Sequence, residues 1–213
     1  MKLVEEKISV PKTARYFVLK PEEVTSVLIV VHGYRQLAEN FIKKFESLTE
    51  DGVMVVAPEG LHRFYIEGYS GNVGASWMTK EARLDDIADH VKFLDMMISS
   101  LDLPEVPIYV LGFSQGGPTV CRWLAASEIE VEKLILHSTV FPNDFLFDEN
   151  REWLSRLSIY ALFGNSDQFA SEKTISTKMD WLAEQDVNPT LLRFVGGHEI
   201  HLPTLRKALF ESA

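Results

Sequence analysis

The pentapeptide Gly112-Phe113-Ser114-Gln115-Gly116 is the most informative stretch of this chain. It follows the apolar run 107–111, which is typical of a strand, and it precedes a segment at 117–126 that has the composition of a helix. A serine at a strand-to-helix corner, with a glycine two places away on each side, is the pattern of a nucleophile elbow. Such a corner is sharp, so it strains the serine backbone and leaves no room for side chains at the two glycines.

This corner predicts a chemical role for Ser114. It would raise the serine hydroxyl above the edge of the sheet and point the first amides of the helix at an anion forming on a bound carbonyl. A tight turn that contains a serine by chance is the alternative interpretation. The strand before the corner and the helix after it favour the elbow.

Length and composition limit the class of protein. The chain has 213 residues, which predicts one α/β domain over 1–213 rather than two domains. Hydrophobic residues make up 46% and charged residues 24%, so a large buried core is expected. The net charge of −10 argues against nucleic acid or an anionic membrane as the main partner.

The single cysteine and the amino-terminal residues bear on location. Cys121 has no second cysteine to pair with, and on the helix after the elbow it is expected to be a small buried residue. Residues 1–7 lack the apolar core of a signal peptide, and no run reaches transmembrane length. We therefore expect a cytoplasmic protein without stable membrane insertion.

Strand and helix patterns alternate along most of the chain. The alternation predicts an α/β fold with a mostly parallel sheet flanked by helices and right-handed crossovers. An antiparallel hairpin at the sheet edge is predicted from 7–10 and 15–19. The remaining strands are predicted at 24–31, 53–57, 107–111, 133–137, 158–163 and 190–195, and the helices at 37–49, 84–101, 117–126, 173–185 and 201–210.

Two segments are predicted to line a pocket. Residues 58–83 read as one long irregular stretch, and residues 138–157 are rich in aromatic side chains. Neither is long enough for a large cap domain, so the pocket is expected to be small to medium and to favour short and medium acyl groups. Trp77, His137 and Phe141 are the predicted lining residues.

The candidate chemical groups follow different predicted strands, so they should share one edge of the sheet. Ser114, Asp167 and His198 occur in that order, 53 (167 minus 114) and 31 (198 minus 167) residues apart. A histidine can take the proton of a serine, and a carboxylate can fix the histidine tautomer, which together make a catalytic triad. The backbone amides of Gln115 and Tyr34 are the predicted oxyanion hole.

The choice of the acid has two competitors. Asp144 and Asp148 also follow a predicted strand, but they come after Pro142 in a segment of mobile appearance. Asp167 follows an apolar strand through a short Gly-Asn-Ser turn, which can hold it rigidly, and it is therefore preferred. A turn residue or a helix N-cap remains the alternative for Asp167. His32 is expected to support its loop by hydrogen bonding.

Metal and cofactor chemistry is not predicted. The stretch His198-Glu199-Ile200-His201 does not have the spacing of the H-E-x-x-H zinc motif. The sequence contains neither a dinucleotide-binding glycine motif nor a phosphate-binding loop motif. No metal site and no cofactor are therefore expected.

Several motifs together resemble the α/β-hydrolase superfamily. The matching stretches are 30–33, 112–117, 164–167, 196–200, and 74–77 with 83–87. More narrowly, the chain is similar to the phospholipase/carboxylesterase group, which includes small esterases and acyl-protein thioesterases. The resemblance implies a serine hydrolase without a large cap, acting on small-molecule esters or thioesters through an acyl-enzyme, with Ser114, Asp167 and His198 as its triad.

The chain departs from that group at two places beside the site. Residues 34–37, Tyr-Arg-Gln-Leu, replace a loop that usually contains Gly-Asp, and Phe169-Ala170 replaces a frequent Val-Pro. The substrate is therefore left open, as is the oligomeric state. A non-catalytic module that binds a small ligand, and a peptidase or lactonase with the same triad, remain alternatives.

Overall fold

Apolar, largely β-branched runs form the strands of the computed structural model, which describes residues 2–211. The main sheet has the order β1-β3-β2-β6-β7-β8-β9, and only β1 runs antiparallel to its neighbour. Strands β4 and β5 form a separate antiparallel hairpin. The strands are β1 Tyr16–Leu19, β2 Ser26–Val31, β3 Val53–Pro58, β4 His62–Tyr65, β5 Val73–Ser76, β6 Ile108–Phe113, β7 Lys133–His137, β8 Ser158–Gly164 and β9 Thr190–Phe194.

Helices connect the parallel strands and cover both faces of the sheet. Two 3-10 segments also occur, Lys43–Asp51 directly after the first helix and Asp148–Asn150 directly before the fourth. The α-helices are α1 Ala38–Ile42, α2 Arg83–Ser100, α3 Gly116–Ala126, α4 Arg151–Ser155, α5 Glu172–Ala183 and α6 Leu202–Phe210.

Alternate side chains of the central strands enter two separate cores. In β2, Val27, Ile29 and Val31 point to the face covered by α2 and α3, while Leu28 and Val30 point to the face covered by α1 and α6. Every residue of β2 is buried, as expected for a parallel strand covered on both faces. This double burial fixes the register of the sheet and thus the height at which each strand ends.

Two sequence-based predictions are wrong in detail. Residues 7–10 form no strand, and β1 pairs with β3 instead of with that segment. The segment 58–83, predicted to be irregular, contains the β4–β5 hairpin. The strand β5 is Val-Gly-Ala-Ser, a composition with no clear alternation, so its pairing could not be seen in the local pattern.

The segment 138–157 carries only the Asp148–Asn150 turn and the five-residue helix α4, so it does not build a large cap. No helix within residues 2–211 combines the length and the apolar character required to cross a membrane.

The corner between β6 and α3 is closed by direct backbone contact. A β-carbon at Gly116 would overlap the carbonyl of Val31 and would lie 2.9 Å from the carbonyl oxygen of His32. A β-carbon at Gly112 would lie 2.6 Å from the carbonyl oxygen of Gly116. The start of α3 therefore approaches the end of β2 because Gly116 lacks a side chain, and it approaches β6 because Gly112 lacks one.

We expect Gly116→Ala to lower the free energy of unfolding by about 1–3 kcal/mol, because the added methyl group must displace backbone rather than a flexible side chain. Urea unfolding of the variant and the wild type would measure the difference. Gly197→Ala is the matched control, since its added carbon would meet only the Ser166 carbonyl oxygen at 3.8 Å. Equal losses in the two variants would contradict the overlap at Gly116.

Candidate active site

Ser114 occupies the corner between β6 and α3 in a left-handed conformation, with φ of 52°. This conformation costs a non-glycine residue roughly 1–3 kcal/mol, so the surrounding structure must impose it. The Ser114 amide donates to the carbonyl of His137, 3.1 Å away, and its carbonyl accepts from the amide of Gly117 at 3.0 Å. These bonds continue the sheet on one side and begin the helix on the other, which is the geometry of the predicted elbow.

Asp167 and His198 are hydrogen-bonded to each other. The distance from His198 Nδ1 to Asp167 Oδ2 is 2.9 Å, and the Asp167 side chain is fully buried. An ionised carboxylate only accepts hydrogen bonds, so Nδ1 of the imidazole carries the proton and Nε2 has a free lone pair. The second carboxylate oxygen, Oδ1, accepts from the Phe169 amide at 2.9 Å, which fixes the orientation of the acid.

The loops that carry these two side chains are joined by their backbones. The Asn165 amide donates to the Phe194 carbonyl, and the Ser166 amide donates to the Gly196 carbonyl, each at 2.9 Å. The Asn165 side chain also accepts from the Gly196 amide. Gly164 allows this approach, because a β-carbon there would overlap the Gly196 carbonyl. Neighbouring parallel strands thus place acid and base together although they are 31 residues apart in the chain.

The imidazole of His198 lies beside the elbow. Its ring packs against Phe113, the residue before Ser114, with 4.9 Å between ring centroids. Within residues 2–211 the Ser114 hydroxyl forms no hydrogen bond in this structure. Catalytic hydrogen bonds are often long before substrate is bound, so the arrangement is compatible with proton transfer from Ser114 to His198.

The two competing acids are engaged elsewhere. Asp144 pairs with Arg83 and with Arg122, whose guanidinium lies 2.9 Å from the carboxylate. Burial alone would raise the pKa of Asp144, but the hydrogen bonds from these two arginines hold it below its ordinary value. Asp148 pairs with Arg151 at 2.7 Å. Among the three candidates, only Asp167 reaches His198.

Two backbone amides, those of Gln115 and Tyr34, are the ones that the sequence analysis predicts for an oxyanion hole. Gln115 is the N-cap residue directly before α3, whose first turn carries no acidic residue to compete for the amides. Tyr34 follows β2 in a loop shaped by the side chain of Gln36, which accepts from the Gly33 amide at 2.8 Å. Among the hydrogen bonds of residues 2–211, neither the Gln115 nor the Tyr34 amide has an acceptor. Both are therefore able to bind a developing negative charge.

The hairpin β4–β5 supports this loop. The Arg35 amide donates to the Ala75 carbonyl, and the Ala75 amide donates to the Gln36 carbonyl. The side chain of Gln115 reaches the same region, accepting from the Trp77 amide at 3.2 Å and donating to the Met78 carbonyl at 3.0 Å. No local pattern predicted these supports, because they join residues about forty positions apart.

The three residues predicted to line the pocket are all buried. Trp77 is fully buried, and its indole donates to the His32 carbonyl at 2.9 Å. Phe141 is buried in an aromatic cluster with Phe145. His137 is fully buried and accepts a hydrogen bond from the His201 amide. The apolar character that suggested a pocket wall reflects packing beneath the site.

Exposed aromatic rings stand beside the site at positions that the prediction of lining residues did not include. Phe169 packs edge-on against His198, with 4.7 Å between ring centroids. Tyr34 stacks on Phe64 at 5.3 Å. Tyr34 and Phe169 both lie where the chain departs from the pattern of the phospholipase/carboxylesterase group. These departures were the only signal in the sequence that could have pointed to the two rings.

Three buried histidines are kept in their neutral form. Burial lowers the pKa of His32 to about 4, that of His90 to about 4 and that of His137 to about 3. His32 bonds to the Gly33 carbonyl through Nδ1 and accepts from the Gly60 amide through Nε2, so it needs one protonated and one free nitrogen. His32 thus supports its loop, as expected.

Over residues 2–211, no group of three or more histidine, cysteine, aspartate or glutamate side chains is placed to hold a metal ion.

Comparison with solved structures identifies the fold. Zea mays acyl-protein thioesterase 2 superimposes with a TM-score of 0.72 at 15% identity, over 92% of this chain and 96% of that one. Esterase PE8 gives 0.68 at 17% identity, over 92% and 96%. Bacillus cereus carboxylesterase gives 0.63 at 16% identity, over 92% and 91%.

Comparisons of the amino-acid sequence found no match. No protein-family model matches the chain, and a search of curated proteins found no significant match. The structural likenesses nevertheless extend over nearly the whole chain, and they establish an α/β-hydrolase fold. The fold predicted from the sequence motifs is therefore confirmed.

We expect Asp167→Asn to lower kcat by on the order of 10⁴-fold, because an amide beside His198 can favour the wrong tautomer. Steady-state ester hydrolysis would measure the loss, and urea unfolding would show whether the fold is intact. Asp144→Asn is the matched control, with an expected change below about threefold, since a half-exposed carboxylate on two arginines contributes little. A larger loss in Asp144→Asn than in Asp167→Asn would assign the acid to the earlier strand.

The buried histidines predict loss of stability in acid. Their folded-state pKa values lie below the ordinary value of 6.5, so between pH 6.5 and about 4 the unfolded chain binds more protons than the folded one. The contribution of the neutral histidines to the free energy of unfolding is fully present above pH 6.5. It is lost as the pH falls from 6.5 to about 4. His90→Leu should reduce the dependence by about 1 kcal/mol per pH unit near pH 5.5. Urea unfolding at several pH values tests this, and an unchanged slope in the variant would contradict it.

Proposed function

We propose that this protein is a serine hydrolase that cleaves carboxylic esters or thioesters of small to medium acyl groups through an acyl-enzyme. The observation that carries the proposal is the 2.9 Å bond between His198 and Asp167 on the same sheet edge as the strained Ser114. A strained serine alone, or a buried ion pair alone, has many structural explanations. The combination matches the requirements of nucleophile, base and orienting acid.

Acylation follows from the protonation states. Nε2 of His198 has the free lone pair, so it accepts the Ser114 proton while Oγ forms a bond to the substrate carbonyl carbon. The negative charge that develops on the carbonyl oxygen is stabilised by the Gln115 and Tyr34 amides. The imidazolium is stabilised by the Asp167 carboxylate, and it gives its proton to the leaving oxygen or sulfur as the bond from the carbonyl carbon breaks.

Deacylation repeats the sequence with water. His198 takes a proton from the water as its oxygen attacks the acyl carbon, and it returns the proton to Ser114 Oγ as the ester to the enzyme breaks. The products are the free acid and the regenerated serine. Neither step needs a metal ion or a cofactor.

The proposal of ester or thioester substrates has two supports. Structures with this fold include proteins described as an esterase, an acyl-protein thioesterase and a carboxylesterase. The residues around Ser114 in this chain expose aromatic rings at Tyr34 and Phe169, which suit an uncharged apolar substrate better than an extended peptide. The short insertion 138–157 cannot enclose a long acyl chain.

Cys121 is not a competing nucleophile. Burial raises the pKa of its thiol well above the ordinary value, so the reactive thiolate is disfavoured. A free buried thiol also fits the cytoplasmic location that we propose, where cysteines stay reduced.

Covalent labelling tests the proposed chemistry. A fluorophosphonate probe should label the wild type at Ser114, because only an activated serine attacks phosphorus rapidly. Ser114→Ala should abolish the labelling, and His198→Ala should slow it by at least about a hundredfold. Intact-mass spectrometry and peptide mapping would locate the adduct.

The controls separate an enzyme from a ligand-binding module. Ser138→Ala removes a buried serine that follows the neighbouring strand β7 and also has a positive φ, and it should leave labelling unchanged. Labelling that persists in Ser114→Ala would move the chemistry to another residue. A folded wild-type protein that takes up no probe and hydrolyses no ester or thioester would refute the proposed function.

A further inference from the structure

An apolar ring stands uncovered next to the candidate base. The side chain of Phe169 is 70% exposed, although phenylalanine is normally among the most buried residues. Its ring meets the imidazole of His198 edge-on, with 4.7 Å between centroids and 72° between planes. The ring therefore provides exposed apolar surface directly beside this imidazole.

The backbone of Phe169 is held by the acid of the site. Asp167 Oδ1 accepts from the Phe169 amide at 2.9 Å, while Oδ2 accepts from His198 at 2.9 Å. The Asp167 carbonyl accepts from the Ala170 amide at 3.3 Å, which closes the turn. One carboxylate thus binds both the base and the backbone of the residue that carries the exposed ring, so this residue belongs to an ordered turn rather than to a loose loop tip.

The chemistry of the site defines which part of a substrate would meet this surface. In the mechanism above, the imidazolium of His198 protonates the departing oxygen or sulfur, so that atom must come within hydrogen-bond distance of the imidazole. The acyl carbon is held by Ser114, and its oxygen points at the Gln115 and Tyr34 amides. The alcohol or thiol portion is therefore the part that lies on the His198 side, where Phe169 stands.

We propose that Phe169 is a specificity-determining residue for the leaving group. The preferred substrates are esters or thioesters whose alcohol or thiol portion is apolar and at least as large as a phenyl ring. Covering the exposed phenyl ring removes apolar surface from water on both partners, which a small or charged alcohol cannot do. This inference rests on the proposed function and names the substrate class of the same site.

Two esters of one acid test the preference. Ethyl butyrate and 2-phenylethyl butyrate share the acyl group, and their alcohols have similar acidity, so they differ mainly in the surface offered to Phe169. The wild type should show a higher kcat/KM for the 2-phenylethyl ester. Phe169→Ala should lower kcat/KM by about tenfold for that ester and by less than about twofold for the ethyl ester. Phe169→Leu, which keeps an apolar surface, should retain most of the preference.

A second measurement separates substrate contact from support of His198. The alcohol has left before deacylation, so the deacylation rate of the butyryl-enzyme should be the same in wild type and Phe169→Ala. Pre-steady-state hydrolysis of p-nitrophenyl butyrate gives this rate. Phe210→Ala is the matched control, because Phe210 is also an exposed phenylalanine, 48% exposed, and it lies at the last residue of α6, outside both segments predicted to line the pocket. It should leave both esters and the deacylation rate unchanged.

The outcomes distinguish the two proposals. Equal losses on both esters, or slower deacylation in Phe169→Ala, would show that the ring acts only by supporting His198, and the leaving-group inference would be rejected. The same rejection follows if the wild type does not prefer the 2-phenylethyl ester. In either case labelling at Ser114 would persist and the proposed function would stand. Absence of labelling and of all ester hydrolysis would instead reject the function itself.

Discussion

The contact between the first residue of α3 and the end of β2 is the constraint on which the candidate site depends. Because Gly116 has no side chain, the helix starts directly against the Val31 carbonyl, and the corner after β6 can close. Closure holds Ser114 at a φ of 52° and leaves the Gln115 amide without an internal acceptor. Strain of roughly 1–3 kcal/mol at one residue is sustained by the buried packing of β2 and β6 around it.

The remaining parts of the site are brought to that corner by backbone pairing rather than by the side chains that react. Asn165 and Ser166 bond to the chain after β9, and this join sets the distance between Asp167 and His198. Buried neutral histidines also hold the loops of the site through the backbone. His32 fixes the loop of Tyr34, and His137 accepts from the amide of His201, the residue directly before α6. Each needs a free lone pair, so protonation would break a bond and bury a charge at once. The acid sensitivity that we expect is thus a consequence of how the loops are held.

The fold could be predicted from the sequence because the same hydrophobic patterns recur in one strand and helix after another. Double burial of β2, β3 and their neighbours requires continuous aliphatic runs, and helices between them require the 3.6-residue period, so six strands and five helices could be recognised locally. The hairpin β4–β5 could not, because Gly74 and Ala75 give no alternating pattern and the strand is defined only by its partner. The pairing proposed for residues 7–10 failed for the converse reason, since a β-like composition carries no information about which edge it meets.

The sequence by itself determined the α/β order, the corner at Ser114 and the short list of groups at the strand ends, because glycine spacing and apolar runs act over a few residues. Only the tertiary structure decided that Asp167 rather than Asp144 reaches His198, since both follow strands and the choice rests on which arginines and loops lie nearby. The tertiary structure also decided that Trp77 and Phe141 are buried in the core and that Phe169 is exposed beside the base. The residue type alone does not show whether an aromatic side chain is buried or exposed. That depends on the neighbours that long-range packing places around it.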